Sequence, residues 1–428
     1  MKKLTLLVWV GALLVMTAAA QERPEARLRL QSFEIVWSKV KEKHFDPTFG
    51  GLDWEAVRRR YEPRVAQAKD DREFYRLLNE MLGELQQSHF TVIAPEAILD
   101  DGSAGSPSGS IGIDLQILDD QAVVTRVRTG SAAARAGLRT GFIIKRIDGA
   151  EAASLQKEAA SRAEQRNWLP SFKRRMVARN LLNRIGGRPG TVVRLQYLGE
   201  DTHLREVAIE RELQTGELSQ PLGNFPAILT EFEKKRLANG LGYIRFNYFM
   251  MPVMEKVRTA LREFKDAPGI IFDLRGNGGG VAGLAPGIVG YLESKPASLG
   301  TSLMRTGQIK YPVFPQDSPY TGALAVLIDG GSGSTTEIFA AGLQELRRAV
   351  IVGERSAGLV LPSIFEKLPT GALLQYAFAD FRTPSGVTLE GRGVTPDLEV
   401  QPERAALLAG HDPQLDAAVE AVVKRSNR

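Results

Sequence analysis

The 428-residue chain contains no cysteine. Disulfides, a thiolate nucleophile and cysteine-ligated zinc are therefore excluded, as is a lipid-modified cysteine behind an export signal. Histidine is scarce as well. His44, His89, His203 and His411 stand singly, in no HExxH or HxH arrangement, so a histidine-rich metal site is not indicated and no cofactor is expected. Positive charge is not concentrated: the formal net charge is +5 with no long basic run, which leaves no electrostatic footprint for nucleic acid. Apolar runs long enough to cross a bilayer are missing too, since the stretch Leu4 to Met16 falls short of the ~20 residues a spanning helix needs.

That short stretch follows Lys2 and Lys3 and precedes Ala18, Ala19 and Ala20, the layout of a cleavable secretory signal. The expectation is removal of residues 1–20 and export to the periplasm or beyond, with a retained anchor as the alternative. Loss of the two lysines leaves a mature charge of about +3, and no stable membrane span.

The remainder has the composition of a folded protein, 43% hydrophobic and 25% charged, and is long enough for two or three domains. From Leu28 to about Leu85 the periodicity is helical. Phe74, Leu77, Leu78, Met81, Leu82 and Leu85 form one apolar stripe, Asp70 with Glu73 predicts a capping box, and Pro63 is expected to break or kink the preceding helix. Residues 95–110 turn polar and rich in Gly, Ser and Pro, as a linker does. Short strands are predicted over 111–117, 122–127, 142–147 and 192–197, interrupted by one Ala-rich turn and helix. After Leu241 strands and helices alternate: strands 243–246, 269–274, 324–328 and 349–352, with helices over 253–264, after Gly280, and over 335–346. That alternation predicts an α/β core, and no internal repeat is present.

Four segments are candidates for chemistry. In Leu327-Ile-Asp-Gly-Gly-Ser-Gly-Ser-Thr-Thr-Glu-Ile-Phe339 a buried strand ends in glycines and a helix begins at Ser334 or Thr335. A serine on such a turn is presented above the sheet edge, with the free N–H groups of the first helical turn beside it; Ser332 and Ser334 read equally well as N-caps. Asp273-Leu-Arg-Gly-Asn-Gly-Gly-Gly280 is a second glycine-rich turn after a buried strand, without the lysine of a phosphate-binding loop, and reads as an ordinary turn. Glu84-Leu-Gln-Gln-Ser-His-Phe90 places His89 where a helix gives way to a strand, a position for a base or for a structural histidine. Gly386-Val-Thr-Leu-Glu-Gly-Arg-Gly-Val-Thr-Pro-Asp397 carries Glu390 among turn residues, as an exposed carboxylate would be.

Taken in order, these segments resemble the C-terminal processing (tail-specific) peptidases and the core of tricorn protease, over nearly the whole chain after the signal. The resemblance implies a multi-domain α+β protein: a signal peptide at 1–20, an N-terminal helical domain at 21–100, a β-rich PDZ domain with short helices at 106–200, and an α/β, crotonase-like catalytic domain at 201–428. It implies a serine endopeptidase with Ser334 as nucleophile and the N–H groups of Gly280 and Thr335 as oxyanion hole. The tail-specific branch uses a lysine base in Gly-Glu-x-Thr-x-Gly-Lys, yet here the run Gly353-Glu-Arg-Ser-Ala-Gly-Leu359 ends in leucine. The tricorn-like branch, with a Ser-His-Ser-Glu tetrad, maps instead onto Ser334, His89, Ser88 and Glu390. The PDZ resemblance rests on Gly109-Ser-Ile-Gly-Ile113 and on the run from Gly130 to Gly149. It implies that Ser110, Ile111, Gly112 and Ile113 hold a peptide carboxylate, or that the domain merely braces the catalytic one. Polypeptides, or their C-terminal tails, are the expected partners, and the oligomeric state stays open. The alternative is a catalytically silent protein that binds a peptide or an apolar ligand on the same scaffold.

Overall fold

The computed structural model describes residues 24–96, 109–164, 166–201 and 203–426. The signal segment, and most of the linker expected over 95–110, lie outside them.

Helices α1 (Pro24–Lys43), α2 (Trp54–Ala66) and α3 (Asp71–Gly83) occupy the predicted helical region, followed by the short strand β1 (Thr91–Ile93). Asp70 Oδ1 accepts the N–H of Glu73 (2.8 Å), while the Glu73 carboxylate reaches back to the N–H of Lys69 (3.0 Å) rather than that of Asp70. Pro63 does not break α2. It lies on the exposed face near the end of the helix, where water can take the carbonyl that the missing N–H leaves free. These helices do not close a core of their own. Phe33, Trp37, Phe74, Leu78 and Met81 pack against Leu361, Leu368, Leu374 and Tyr376 from far along the chain. β1 pairs antiparallel with the strand Leu373–Ala377, which pairs in turn with Ser363–Lys367.

The middle unit is an antiparallel sheet in chain order, β2 (Ile113–Leu118), β3 (Gln121–Val127), β4 (Ile143–Ile147), β5 (Val192–Leu198) and β6 (Leu204–Glu210). It continues past residue 200 because β6 pairs with β5 along its whole length. Where one helix was expected, three occur: Ala132–Arg135, Ala152–Glu164 and α4 (Pro170–Ile185). Pro170 begins α4, a position where its missing N–H is no loss. Leu181 and Ile185 face the sheet core, and α4 packs on the edge strand β2.

The third unit is a six-stranded sheet, also in chain order: β7 (Phe232–Arg236), β8 (Gly242–Phe246), β9 (Gly269–Asp273), β10 (Ala323–Ile328), β11 (Val350–Gly353) and β12 (Leu398–Glu399). β7 is antiparallel to β8 and the other pairs are parallel. The central strands are nearly continuous apolar runs because both faces are covered. Ile270, Phe272, Leu324 and Val326 point toward α5 (Met251–Glu263) and α6 (Thr335–Glu345), whereas Ile271, Ala325, Leu327 and Val352 meet α7 (Pro413–Ser426) on the reverse face. Since β9, β10 and β11 are parallel neighbours, the loops leaving their C-terminal ends must lie side by side, the usual location of a site in an open α/β sheet. Those loops are 274–280, 329–334 and 354–360.

Candidate active site

At the end of β10 the chain turns sharply into α6. Ser334 sits at the turn with φ 55° and ψ −121°, a conformation that costs a non-glycine residue on the order of 1–3 kcal/mol and survives only when its surroundings impose it. They do so here: the Ser334 N–H donates to Leu359 O (2.8 Å) and to Glu337 Oε2 (3.1 Å). Glu337 is fully buried and also accepts from Ser356 Oγ, Gly358 N and Leu359 N, at 2.6, 2.8 and 2.9 Å. It thus pins the turn to the 354–360 loop. Burial is the largest influence on its carboxyl, which is pushed up to about 7. Ser332 is fully buried, donates to Leu274 O (2.8 Å), and braces the turn. Of the two serines, Ser334 alone lines the cavity above the loops.

The 274–280 loop approaches from the side. Asn277 is buried, donates to Phe246 O (3.0 Å), and accepts the N–H of Gly279 (2.9 Å) and the hydroxyl of Thr336 (2.8 Å) through one oxygen. The loop can come this close only as glycine: a Cβ on Gly279 would stand 2.6 Å from Ser334 Cβ. Phe249 bonds to Gly279 O (2.7 Å) and to Val281 N (2.9 Å), so the amide groups of Gly280 itself face the other way. Its carbonyl takes the Thr335 hydroxyl (2.8 Å). The N–H groups of Gly280 and Thr335, both residues of the cavity wall, have no acceptor among the described residues.

His89 faces the same cavity from the N-terminal unit, in a left-handed conformation (φ 61°) between α3 and β1. Its Nδ1 is 2.7 Å from Ser88 Oγ, which donates to Glu390 Oε2 (2.9 Å). Glu390 also accepts from Ser88 N (2.7 Å) and Val360 N (3.0 Å). It contacts donors only, as an ionised carboxylate would, although burial raises its pKa. With the single hydroxyl hydrogen of Ser88 committed to Glu390, the His89 contact requires hydrogen on Nδ1, which leaves Nε2 with a lone pair. Burial pushes the imidazole down to about 4, so it is neutral at pH 7. No hydrogen bond joins His89 to Ser334 in this conformation. The other histidines lie elsewhere: His44 is buried against Gln87 and Phe90, while His203 and His411 are exposed beside Asp201 and Asp416. Among the described residues no group of three or more His, Asp or Glu is placed to hold a metal.

Residues 240–400 match the model of Peptidase family S41, and residues 26–83 match that of the tricorn protease C1 domain. Over residues 240–400 the chain is therefore similar to peptidase family S41. It is a serine-type peptidase of the C-terminal processing and tricorn kind, similar to a carboxyl-terminal-processing protease of Synechocystis sp. at 27% identity, over 88% of this chain and 81% of that one. A protein of Streptomyces coelicolor described as a tricorn protease homolog is 26% identical over 92% of this chain, which covers 32% of that longer protein. The fold is that of the photosystem II D1 C-terminal processing protease, with a TM-score of 0.57 at 21% identity over 90% of this chain and 99% of that one.

In this peptidase the residues expected at the site fall into two places. Ser334, Thr335, Gly280, Ser88 and His89 line one cavity of about 2880 Å³, with Glu390 behind Ser88. Leu359, at the position of the absent lysine, touches the Ser334 amide through its own carbonyl and offers no basic atom. Ser110, Ile111 and Ile113 line the same cavity farther along, at the start of edge strand β2. Gly112 does not, and its N–H already donates to Ser110 Oγ (3.0 Å), so one of the expected carboxylate donors is engaged in this conformation. Asn277 and Glu337, the buried supports of the loops, stand within the glycine-rich and Ser-x-x-Glu segments, but spacing does not tell which side chains turn inward.

Proposed function

We propose that Ser334 is the nucleophile and His89 its general base, with Ser88 and Glu390 completing a Ser-His-Ser-Glu tetrad. The observation that carries this reading is the hydrogen-bonded line from Glu390 through Ser88 to His89 Nδ1, which leaves an unprotonated Nε2 in the cavity that holds Ser334. As Ser334 Oγ attacks the scissile carbonyl, its proton passes to Nε2. The oxyanion that forms is met by the Gly280 and Thr335 N–H groups. The imidazolium, stabilised through Ser88 by the Glu390 charge, returns the proton to the leaving amine, and water then hydrolyses the acyl-serine by the same route. The two catalytic side chains draw together when substrate fills the cavity, as catalytic hydrogen bonds often do.

The substrates are loosely folded or exported polypeptides. The middle unit acts as a PDZ domain, its Gly109–Ile113 segment holding their C-terminal ends, and residues 1–20 direct the chain out of the cytoplasm. Peptides with free and amidated C-termini separate a binding role of that domain from a bracing one. Ser334→Ala is expected to abolish hydrolysis of a casein-type substrate and labelling by a fluorophosphonate probe. Turnover at the wild-type rate in that variant would reject the assignment.

A further inference from the structure

The cavity that contains Ser334 extends along α4, and its charges are unequally matched. The carboxylates on its wall are engaged: Asp114 by Arg126 and Arg245, Glu231 by Arg128, Glu217 by Lys256, and both Asp273 and Asp412 by Arg275. Asp329 accepts the N–H groups of Gly276 and Gly331. Arg179 and Arg188 line the same cavity and have no carboxylate partner among the described residues, and Arg175 lines it without a salt bridge, feeling only the more distant charge of Asp114.

Their placement follows the course of α4. Its second turn meets the loops at the end of the sheet: Arg174 pairs with Glu354 (3.2 Å), and the Arg175 guanidinium lies so near Gly276 and Gly331 that a Cβ on either would come within 3.0 and 2.9 Å of it. Just past its last turn, Gly187 exchanges hydrogen bonds of 2.5 and 3.1 Å with Gly109, at the entrance to the segment that begins β2. Sixteen helical residues span ~24 Å, a distance covered by about seven residues of extended chain. Arg175 and Arg179 share a face of α4, ~6 Å apart along its axis. Alternate side chains of an extended peptide are spaced by nearly the same amount, ~6.8 Å. Unpaired cations on the wall of a partly enclosed channel focus their field into it.

We propose that this channel selects acidic polypeptide segments, whose Asp and Glu side chains pair with Arg175, Arg179 and Arg188 as the chain lies between α4 and β2 on its way to Ser334. The inference rests on the reading of the cavity as the substrate channel of a Ser334-dependent peptidase, and it adds the substrate class. Acidic residues at alternate positions fit best.

The test uses the full chain and matched peptides with one cleavage site, carrying Glu, Gln or Lys at alternate positions to one side of it. Each peptide is made with a free and with an amidated C-terminus. The expected order of kcat/KM is Glu, then Gln, then Lys, with about tenfold or more between the extremes at low ionic strength, shrinking in about 0.5 M NaCl. The double variant Arg179→Glu/Arg188→Glu should reverse the order. Arg179→Gln/Arg188→Gln should flatten it, and serves if the charge reversal fails to fold. Equal kcat/KM for the three peptides, an order that neither variant changes, or a preference confined to free C-termini each overturns the proposal. Cleavage that survives Ser334→Ala defeats the nucleophile assignment instead, so the two failures are distinguishable.

Discussion

The side of the site that holds the proposed nucleophile is built inside one sheet, whereas the side that holds the proposed base is assembled from opposite ends of the chain. Ser334, Thr335 and Gly280 stand on loops that leave adjacent parallel strands, and buried Asn277 and Glu337 fasten those loops to one another. Ser88 and His89 reach Glu390 only because β1 adds to the strand Leu373–Ala377, which locks the N-terminal helices onto the catalytic unit. The first arrangement follows from sheet topology and is as stable as the sheet. The second depends on the packing of one unit against another, and this is where the geometry is loosest, with no hydrogen bond yet formed between His89 and Ser334. On the proposed assignment, the difference means that the nucleophile is held in place at rest by its own sheet, while the approach of the base depends on how the N-terminal unit is docked.

This contrast can be broken or sharpened by experiment. His89→Ala should lower kcat by on the order of 10²–10⁴ while leaving the fold of the Ser334 side intact; an unchanged rate on an unfolded substrate would place the base elsewhere. Glu390→Gln replaces one of the two carboxylate oxygens by an N–H₂, which then faces either the Ser88 N–H or the pair Ser88 Oγ and Val360 N–H, so at least one donor loses its acceptor. It should cost about 10- to 100-fold in kcat, with little change in KM, as read from steady-state kinetics.

Leu374→Ala tests the docking itself. Leu374 is fully buried opposite Val92 in β1, and truncation should cost about 2–5 kcal/mol in urea unfolding. If the base side depends on this packing, kcat should fall more than in an equally destabilised variant truncated at Val326, beneath the nucleophile. Equal losses would show that the two sides are not independently held.

The smallest effect concerns acid stability. Burial holds the His89 imidazole down to about 4, below the ordinary histidine value of 6.5. Between those two values the unfolded chain binds the extra proton and the folded one does not, so the stability this neutral histidine confers is present above pH 6.5 and lost as pH falls toward 4. His89→Asn should flatten that portion of the melting-temperature profile, and identical slopes in the two proteins would indicate that His89 is not held neutral.

The segments that act locally were legible from residues alone. The run Ala323–Ile328 followed by glycines and Ser334 reads as a buried strand entering a helix, and the stripe from Phe74 to Leu85 reads as an amphipathic helix. Less legible was α4, whose apolar Val177, Leu181 and Ile185 are diluted by basic residues serving the cavity instead of the core. Pro63 misled because proline propensity takes no account of a helix end already open to water.

Sequence by itself determined the strands and turns of the sheet unit, the absence of cysteine chemistry, and the residues that resemble a serine peptidase. Only the tertiary structure decided that positions 89 and 390 lie together on one side of a cavity, that Asn277 and Glu337 turn inward beneath the loops, and that Arg175, Arg179 and Arg188 face the channel without a salt bridge to a carboxylate among the described residues. The reason is physical. Local pattern records which face of an element is apolar, whereas the meeting of distant polar groups is fixed by how the buried faces of separate units pack.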